Sequence, residues 1–270
     1  MKAVPQSFDF GGALRPDYVV KTSYGNDSIA LIQWLHEYDL KHPLGRVVCL
    51  FNDTGWAAGW WMQRVAHAEE SLVKRYGFIP SRTSSIGMEK LIMDHNIWPD
   101  KLRRFCTEDL KIVPTHNWLC VHDSEGIAEM VCGVRREESE DRRLWPEYLP
   151  ASEKNEGRPE WSPMVEVKKA ERDELIRRAG YEPLAHRSRE CRCVLANSSD
   201  IKTWTEADII EIEALELKLG ARQSGTNKFM FHPHRKKGRP HGIREVVEWA
   251  KRVKNSEPAK SGCDRGFCVS

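Results

Sequence analysis

The sequence predicts an α/β fold with an open, mostly parallel sheet and helices on both faces. Short apolar runs typical of buried strands alternate with longer amphipathic runs typical of helices. Polar residues follow several of these strands directly, as they do at the ligand edge of a parallel sheet. The 270 residues, 40% of them hydrophobic, allow one large domain or one domain with an extension.

Each element has a local signal. The continuous apolar run Arg46–Phe51 is rich in β-branched residues and predicts a buried parallel strand. Strands are also predicted at Val19–Lys21 and Ala128–Val134, with a strand or loop at Ser81–Ser85. Helices are predicted, in chain order, at Ser28–Tyr38, Trp60–Tyr76, Met88–Asp94, Lys168–Ala179, Glu206–Leu219 and Ile243–Val253. The polar residues 151–162 contain Gly and Pro and predict a surface loop.

A change in composition divides the chain near residue 185. We predict an α/β domain over 1–185 and a helical, basic, cysteine-bearing C-terminal extension over 186–270. The net charge is only +2, no apolar run approaches membrane-spanning length and no signal pattern is visible, so we expect a cytoplasmic protein without membrane contact. Eight cysteines in such a protein indicate thiols, metal ligands or redox groups rather than disulfides. Cys49, Cys120 and Cys132 lie in or beside apolar runs and are expected in the core.

The most informative segment joins the first strand to the first helix. Ser23, Gly25, Asn26, Asp27 and Ser28 form a small polar loop at a helix N-terminus. Unpaired N–H groups and the positive end of the helix dipole favour an anion there, and the hydroxyls and loop backbone could hold phosphate or sulfate. The alternative is a capped helix that follows a loop.

Two further polar segments follow predicted strands, namely Asp53–Trp56 and Gly133–Ser139. The carboxyl ends of parallel strands meet at one edge, so these segments should converge with Ser23–Ser28. Arg135 carries a planar fork suited to phosphate or sulfate, although adjacent Arg and Glu residues also occur as solvated surface turns.

The segment Arg103–Lys111 combines cations with a cysteine. Thr107 indicates a helix start, which places Cys106 near a helix N-terminus, where a thiolate is favoured. The alternative for Cys106 is a small buried residue.

Together these segments resemble the phosphoadenosine phosphosulfate (PAPS) reductase family of the PP-loop, adenine nucleotide alpha-hydrolase-like superfamily. The family loop Ser-Gly-Gly-x-Asp-Ser corresponds to Ser23–Ser28, with Tyr24 in place of the first Gly and a stiffer loop expected there. Its Asp-Thr-Gly corresponds to Asp53–Gly55, and its Gly-x-Arg-x-x-Glu/Gln-Ser to Gly133–Ser139. The family also has a Cys that is followed by Leu-Lys or Arg-Lys and then by Pro. These residues correspond to Cys106, Leu110, Lys111 and Pro114. The ordered set covers about residues 18–140, and the cysteine pairs described below extend the resemblance to a phage- and prophage-type branch.

The resemblance implies an adenylyl nucleotide (PAPS, adenylylsulfate or ATP) as ligand, with 1–185 as the nucleotide-binding domain. Its phosphate or sulfate groups would be held by Ser23, Gly25, Asn26, Asp27 and Ser28. Asp53, Thr54 and Gly55 would lie near the adenosine side, and Lys111 and Arg135 would neutralise anionic oxygens.

The C-terminal cysteines leave the reaction open. The Glu-Cys-Gly-Leu-His tail of the assimilatory reductase is absent from the sequence, which instead has a Cys191/Cys193 pair and a terminal Cys263/Cys268 pair. Iron–sulfur relatives imply a [4Fe–4S] cluster drawn from Cys106, Cys191, Cys193, Cys263 and Cys268; structural zinc and free redox thiols are the alternatives.

Three functions are compatible with these observations. In a sulfonucleotide reductase, Cys263 or Cys268 would attack the sulfonyl sulfur, adenosine 3',5'-bisphosphate would leave, and a thioredoxin-like thiol would release sulfite. An ATP pyrophosphatase-type iron–sulfur sulfurtransferase would modify nucleic acid and use Mg²⁺. A non-catalytic nucleotide- or nucleic-acid-binding protein with structural zinc is the third.

The strongest charge concentration lies in residues 232–254. This basic surface could bind nucleic acid or could be a solvated loop. The third alternative, which we prefer, is that it closes over the nucleotide phosphates. A homo-oligomer is compatible with the sequence.

Overall fold

The computed structural model describes residues 13–155, 157–220, 228–231 and 242–253. Six strands form one sheet in the order β3-β2-β1-β4-β6-β5. The strands are β1 (Tyr18–Thr22), β2 (Val47–Asp53), β3 (Ile79–Ser84), β4 (Glu129–Val131), β5 (Tyr148–Leu149) and β6 (Glu160–Trp161). All neighbouring pairs are parallel except β5 with β6. The predicted α/β fold with an open, mostly parallel sheet is therefore confirmed.

The described α-helices are α1 (Asn26–Asp39), α2 (Trp61–Ala68), α3 (Met88–His95), α4 (Phe105–Thr107), α5 (Val113–His122), α6 (Lys169–Arg178), α7 (Ser198–Ile201), α8 (Glu206–Lys218) and α9 (Ile243–Arg252). Helix α2 continues through a π-helical turn, Glu69–Val73, and a 3-10 turn, Lys74–Tyr76. A second π-helical turn, Glu108–Ile112, joins α4 to α5 and carries Lys111.

Helices cover both faces of the sheet because successive strand residues point to opposite sides. Val20, Cys49 and Phe51 belong to a core shared with α1, α2 and α6. Val19, Val48 and Leu50 face the other way and pack with Trp118 and Leu119 of α5. The strand order reverses between β1 and β4, which places a crevice beyond their carboxyl ends.

A second apolar core lies beside the sheet. Residues before position 185, including Trp56, Ile92 and Trp98, pack there with Ile212 of α8 and Val247 of α9. The described part of the C-terminal extension is therefore helical and shares this core with the α/β part. The boundary near residue 185 stays a prediction.

Three local expectations differ from the structure. Residues 151–162, predicted as a loop, contain a 3-10 turn, Glu153–Asn155, and strand β6, in which Glu160 is buried. The helix predicted to start at Thr107 already begins at Phe105. Cys120, expected in the core, is exposed, because Trp118 and Leu119 occupy the core-facing side of α5 and Cys120 follows on its outer side. Cys49 and Cys132 are buried as expected.

Candidate anion site at the carboxyl edge of the sheet

The segment Ser23–Ser28, here called the anion loop, follows β1 and runs into α1. The backbone N–H of Ser23 donates to Ser28 Oγ over 3.0 Å, and the two hydroxyl oxygens are 3.2 Å apart. The N–H of Gly25 donates to Ser23 Oγ over 3.3 Å. These bonds fold the loop back on itself and bring two hydroxyls together at the first turn of a 14-residue helix. Hydroxyls beside unpaired helix N–H groups are suited to an oxyanion.

Two side chains of α2 fix the backbone of the anion loop. Trp61 Nε1 donates to the carbonyl of Ser23 over 3.1 Å, and Arg64 Nε donates to the carbonyl of Tyr24 over 2.8 Å. A trans peptide directs its N–H away from its C=O. Because both carbonyls are anchored on the α2 side, the N–H groups of the same two peptides, which belong to Tyr24 and Gly25, point away from α2.

Arg64 brings positive charge to the loop. Its guanidinium lies 5.5 Å from the ring of Trp61 and 5.2 Å from the ring of Tyr181. Burial lowers the pKa of Arg64, and no carboxylate among the described residues forms an ion pair with it. Arg64 was not singled out from the sequence, because an arginine on an amphipathic helix is usually solvated.

The backbone of Tyr24 has a conformation that glycine adopts more easily than tyrosine. Its φ of 55° lies in the left-handed region, which a bulky residue rarely adopts. The side chain is fully buried and its ring centroid lies 5.9 Å from that of Phe51. Core packing of the ring therefore holds a backbone conformation that glycine would adopt without strain.

Asp27 joins the anion loop to the segment after β4. Its side chain is fully buried, and Arg135 Nε donates to its Oδ1 over 2.7 Å. Arg172 of α6 lies 3.6 Å from the same oxygen. A Cβ on Gly133 would lie 3.3 Å from the carbonyl oxygen of Asp27, so the two segments are in close contact. The structure thus brings Asp27 and Arg135 together, each bonded to the other.

A stretch of the C-terminal part lies across the loop; we call residues 184–193 the crossing segment. The amide of Asn26 bonds both backbone groups of Leu184, with Nδ2 to O and N to Oδ1 distances of 2.8 Å each. A Cβ on Gly25 would lie 2.9 Å from the Cβ of Ser188. Glycine at position 25 is therefore required for this close approach.

Side chains of the crossing segment alternate between two sides. Arg187 and Arg189 point to α7, where they pair with Asp200 at 3.1 and 3.4 Å. Ser188 and Glu190 point to the anion loop and to Lys111. Sequence reasoning missed Ser188 and Glu190; the alternation in Arg187–Glu190 was the available signal.

The segment after β2 supports the crossing segment. Thr54 Oγ1 donates to the carbonyl of Glu190 over 2.9 Å, and the N–H of Ala58 donates to the carbonyl of Arg189 over 2.9 Å. The N–H of Gly55 donates to Asp53 Oδ1 over 2.9 Å, in a turn where Gly55 has a φ of 61°. Thr54 therefore holds protein backbone in this structure, while Asp53 shapes its own turn.

Lys111 and Glu190 form a buried ion pair with a distance of 2.6 Å from Nζ to Oε1. Both side chains are 6% exposed. The second oxygen of Glu190 accepts a hydrogen bond of 3.0 Å from Ser188 Oγ. Lys111 thus lies at the same edge as the anion loop, with a carboxylate of the chain on its ammonium group.

The cysteines fall into two groups. Cys106 and Cys191 are partly exposed and pack against the same second core, and Cys193 is also partly exposed. In the described ranges, no group of three or more His, Cys, Asp or Glu side chains is arranged to hold a metal ion. Cys263 and Cys268 lie outside the described residues. The predicted cluster thus has two thiols on one core, and its full ligand set stays a prediction.

The basic surface predicted over 232–254 is described only in part. Residues 232–241 and Lys254 lie outside the described residues. Within α9, Arg244 pairs with Glu206 and Glu213 at 2.8 Å each, and Lys251 pairs with Glu248 at 2.6 Å. These three carboxylates reduce the positive charge of the described helix. No helix in the described ranges has both the length and the apolar character needed to span a membrane.

Solved structures that resemble this fold include a reductase and a thiolase. No protein-family model and no curated protein matches the sequence. A phosphoadenylyl-sulfate (PAPS) reductase from Candida auris, solved as a phosphate complex, is 14% identical, with a TM-score of 0.44 over 62% of this chain and 75% of that chain. The U34-tRNA thiolase NcsA from Methanococcus maripaludis, solved with its [4Fe-4S] cluster, is 11% identical, with a TM-score of 0.46 over 90% of this chain and 75% of that chain.

Proposed function

We propose that this chain is a PP-loop enzyme of the sulfonucleotide reductase type, which binds the phosphate or sulfate groups of an adenylyl nucleotide at the anion loop. The observation that carries the proposal is the position of that loop. It lies at the strand-order reversal between β1 and β4, where ligands bind in open α/β sheets, and it pairs two hydroxyls with a helix N-terminus.

The surrounding charges support an anionic ligand. Arg64 lies on the loop without a described carboxylate partner, and Lys111 reaches the same edge. Sulfonyl and phosphoryl groups carry their charge on several oxygens, so donors from the backbone, hydroxyls and cations stabilise both the bound state and the transition state. Asp27 and Arg135 would act here by joining the loop to the segment after β4.

A second candidate is an ATP pyrophosphatase-type iron–sulfur sulfurtransferase that acts on nucleic acid. The observation that favours it is the packing of Cys106 and Cys191 against one core, which brings two of the candidate cluster ligands to the same part of the fold. If a cluster is bound, Cys106, Cys191, Cys193, Cys263 and Cys268 are its candidate ligands, and it would supply sulfur or redox chemistry. Metal analysis after anaerobic purification distinguishes iron–sulfur from zinc.

The test of binding is calorimetry with PAPS, adenylylsulfate and ATP on the full chain. We expect at least one nucleotide to bind, and Ser28→Ala to weaken it by about tenfold through the lost hydroxyl. Ser124→Ala changes an exposed turn serine and serves as the matched control, with unchanged affinity. Equal affinities of the two variants would contradict the assignment of the loop.

Product analysis then separates the two reactions. A reductase with a thiol reductant releases sulfite and adenosine 3',5'-bisphosphate from PAPS, whereas a pyrophosphatase releases pyrophosphate from ATP. Cys263→Ser and Cys268→Ser test whether either terminal thiol attacks the sulfonyl sulfur. Unchanged sulfite release in both variants would exclude that role for each.

A further inference from the structure

The Lys111–Glu190 pair places a carboxylate at the candidate anion site. Its two charged groups are 2.6 Å apart and almost fully buried. Burying two charges costs desolvation energy that their attraction only partly offsets, so such a pair is weak evidence for a purely stabilising role. The pair is also connected to the anion loop, because Glu190 contacts Ser188 and Ser188 packs against Gly25.

Those contacts form a short chain of neighbours. Ser188 packs against Gly25 so closely that an added Cβ would lie 2.9 Å from its own Cβ. The hydroxyl of Ser188 donates to Glu190 over 3.0 Å, and Glu190 contacts Lys111. The carboxylate therefore lies between the residue that covers the loop and the ammonium group of Lys111.

We propose that Glu190 is a counter-ion that the nucleotide displaces, and that it sets how much negative charge a ligand must bring. Its carboxylate occupies the place on Lys111 that an anionic phosphate or sulfate oxygen takes in the complex. Both groups are charged acceptors, and an ammonium binds either as a point charge. The proposal rests on the proposed function, because it assumes that the ligand binds at this edge.

The backbone around Glu190 permits such an exchange. Its carbonyl is held by Thr54 and the preceding carbonyl by Ala58, so the main chain is anchored independently of the side chain. Rotation of the side chain then removes the Glu190 carboxylate from Lys111. Competition of this kind lowers the apparent affinity by the fraction of molecules in which the lysine is available. A ligand oxygen with more negative charge also attracts the ammonium group more strongly, so a polyanion should compete with the carboxylate better than a monoanion.

The experiment is calorimetry of inorganic pyrophosphate with the full chain, in the wild type, Glu190→Gln, Lys111→Met and the double variant. Glutamine keeps the shape of the side chain without its charge. We expect Glu190→Gln to bind about tenfold more tightly, which corresponds to a competent fraction of about one tenth in the wild type. In the Lys111→Met background the same substitution should change the affinity by less than about twofold, because the competition acts through Lys111.

Two contrary results have different meanings. Weaker or unchanged binding by Glu190→Gln, together with weaker binding by Lys111→Met, would show that Glu190 positions the lysine, and the inference would be wrong. Loss of pyrophosphate and nucleotide binding in all four proteins, the wild type included, would instead contradict the proposed function.

Asp123→Asn is the matched control. Asp123 is a buried carboxylate that pairs with Arg158 at 2.5 Å, and it lies at the opposite edge, just before β4. Its substitution should lower stability and leave pyrophosphate affinity unchanged. Carboxyl-carbon NMR of the Glu190 side chain in the wild type provides a second measurement should Glu190→Gln not fold. Pyrophosphate should shift this signal if the carboxylate leaves Lys111, and an unchanged signal with pyrophosphate bound would contradict the proposal.

Discussion

Asp27 Oδ1 accepts a 2.7 Å hydrogen bond from Arg135 Nε, and this contact joins the first loop of the sheet to the segment that follows β4. Asp27 is fully buried. Two further carboxylates, of Glu137 and Glu138, lie 3.3 and 3.6 Å from the guanidinium group of Arg135. The two sides of the strand-order reversal are thus held together by charge. Asp27 and Arg135, both predicted from the sequence as binding residues, therefore also connect two segments of the fold.

Asp27→Asn should lower the free energy of unfolding by about 3 kcal/mol, because it removes one partner of a buried pair. Urea unfolding of the full chain measures this change. Glu37→Gln, which alters a partly exposed pair with Arg178, should cost less than about 1 kcal/mol. Similar losses in the free energy of unfolding for the two variants would show that the buried contact stabilises the protein no more than the Glu37–Arg178 pair does.

Gly25→Ala should destabilise the protein by about 1–3 kcal/mol and weaken anion binding, since the new Cβ would push Ser188 and the crossing segment from the loop. Gly59→Ala is its control, because no described heavy atom lies within 4 Å of the added Cβ. Thermal unfolding and calorimetry give the two readouts. Adding Ser188→Gly to Gly25→Ala should restore part of both, and no recovery would argue against this steric contact as the cause.

Arg64→Met should weaken anion binding by about tenfold, because it removes both the bond to the carbonyl of Tyr24 and a positive charge beside the loop. Arg64→Lys keeps the charge and should lose less. Arg82→Met is the matched control: Arg82 pairs with Glu69 at 2.6 Å, so its loss should affect stability rather than affinity. Calorimetry with pyrophosphate compares the three variants, and equal affinities for Arg64→Met and Arg82→Met would refute a specific role for Arg64.

Stability should fall at alkaline pH because of two buried acids. Burial raises the pKa of Cys49 and of Tyr24 above their ordinary values of 9.0 and 10.0. The unfolded chain loses these protons as the pH passes those values, while the folded chain keeps them, so the stabilisation present below pH 9 is lost above it. Each group should contribute a slope of about 1.4 kcal/mol per pH unit once it ionises in the unfolded state.

Urea unfolding between about pH 8 and about pH 11 measures that dependence. Cys49→Ala and Tyr24→Phe should each reduce the slope in this range. The phenylalanine variant also removes a buried hydroxyl that has no hydrogen-bond partner among the described residues, so it should cost little at neutral pH. A slope that persists in the double variant would assign the effect to other groups.

The position of the anion loop could be predicted because its signals are local. An apolar run, a small polar loop and an amphipathic run specify a strand, a turn and a helix, and parallel strands bring their carboxyl ends to one edge. Strand β6 was missed because a two-residue strand has too few residues for a periodic pattern. Cys120 was misplaced because an apolar run does not specify which side of α5 faces the core.

By itself, the sequence determined the α/β class, the loop between β1 and α1, and the residue types suited to an anion there. The tertiary structure decided which charges meet. Lys111 and Glu190 are far apart in the chain, as are Asp27 and Arg135, yet each pair is buried within 2.7 Å. Backbone propensity and hydrophobic period act over a few residues, whereas pairing of buried charges depends on how distant segments pack. Ser188 and Glu190 joined the candidate site for that reason.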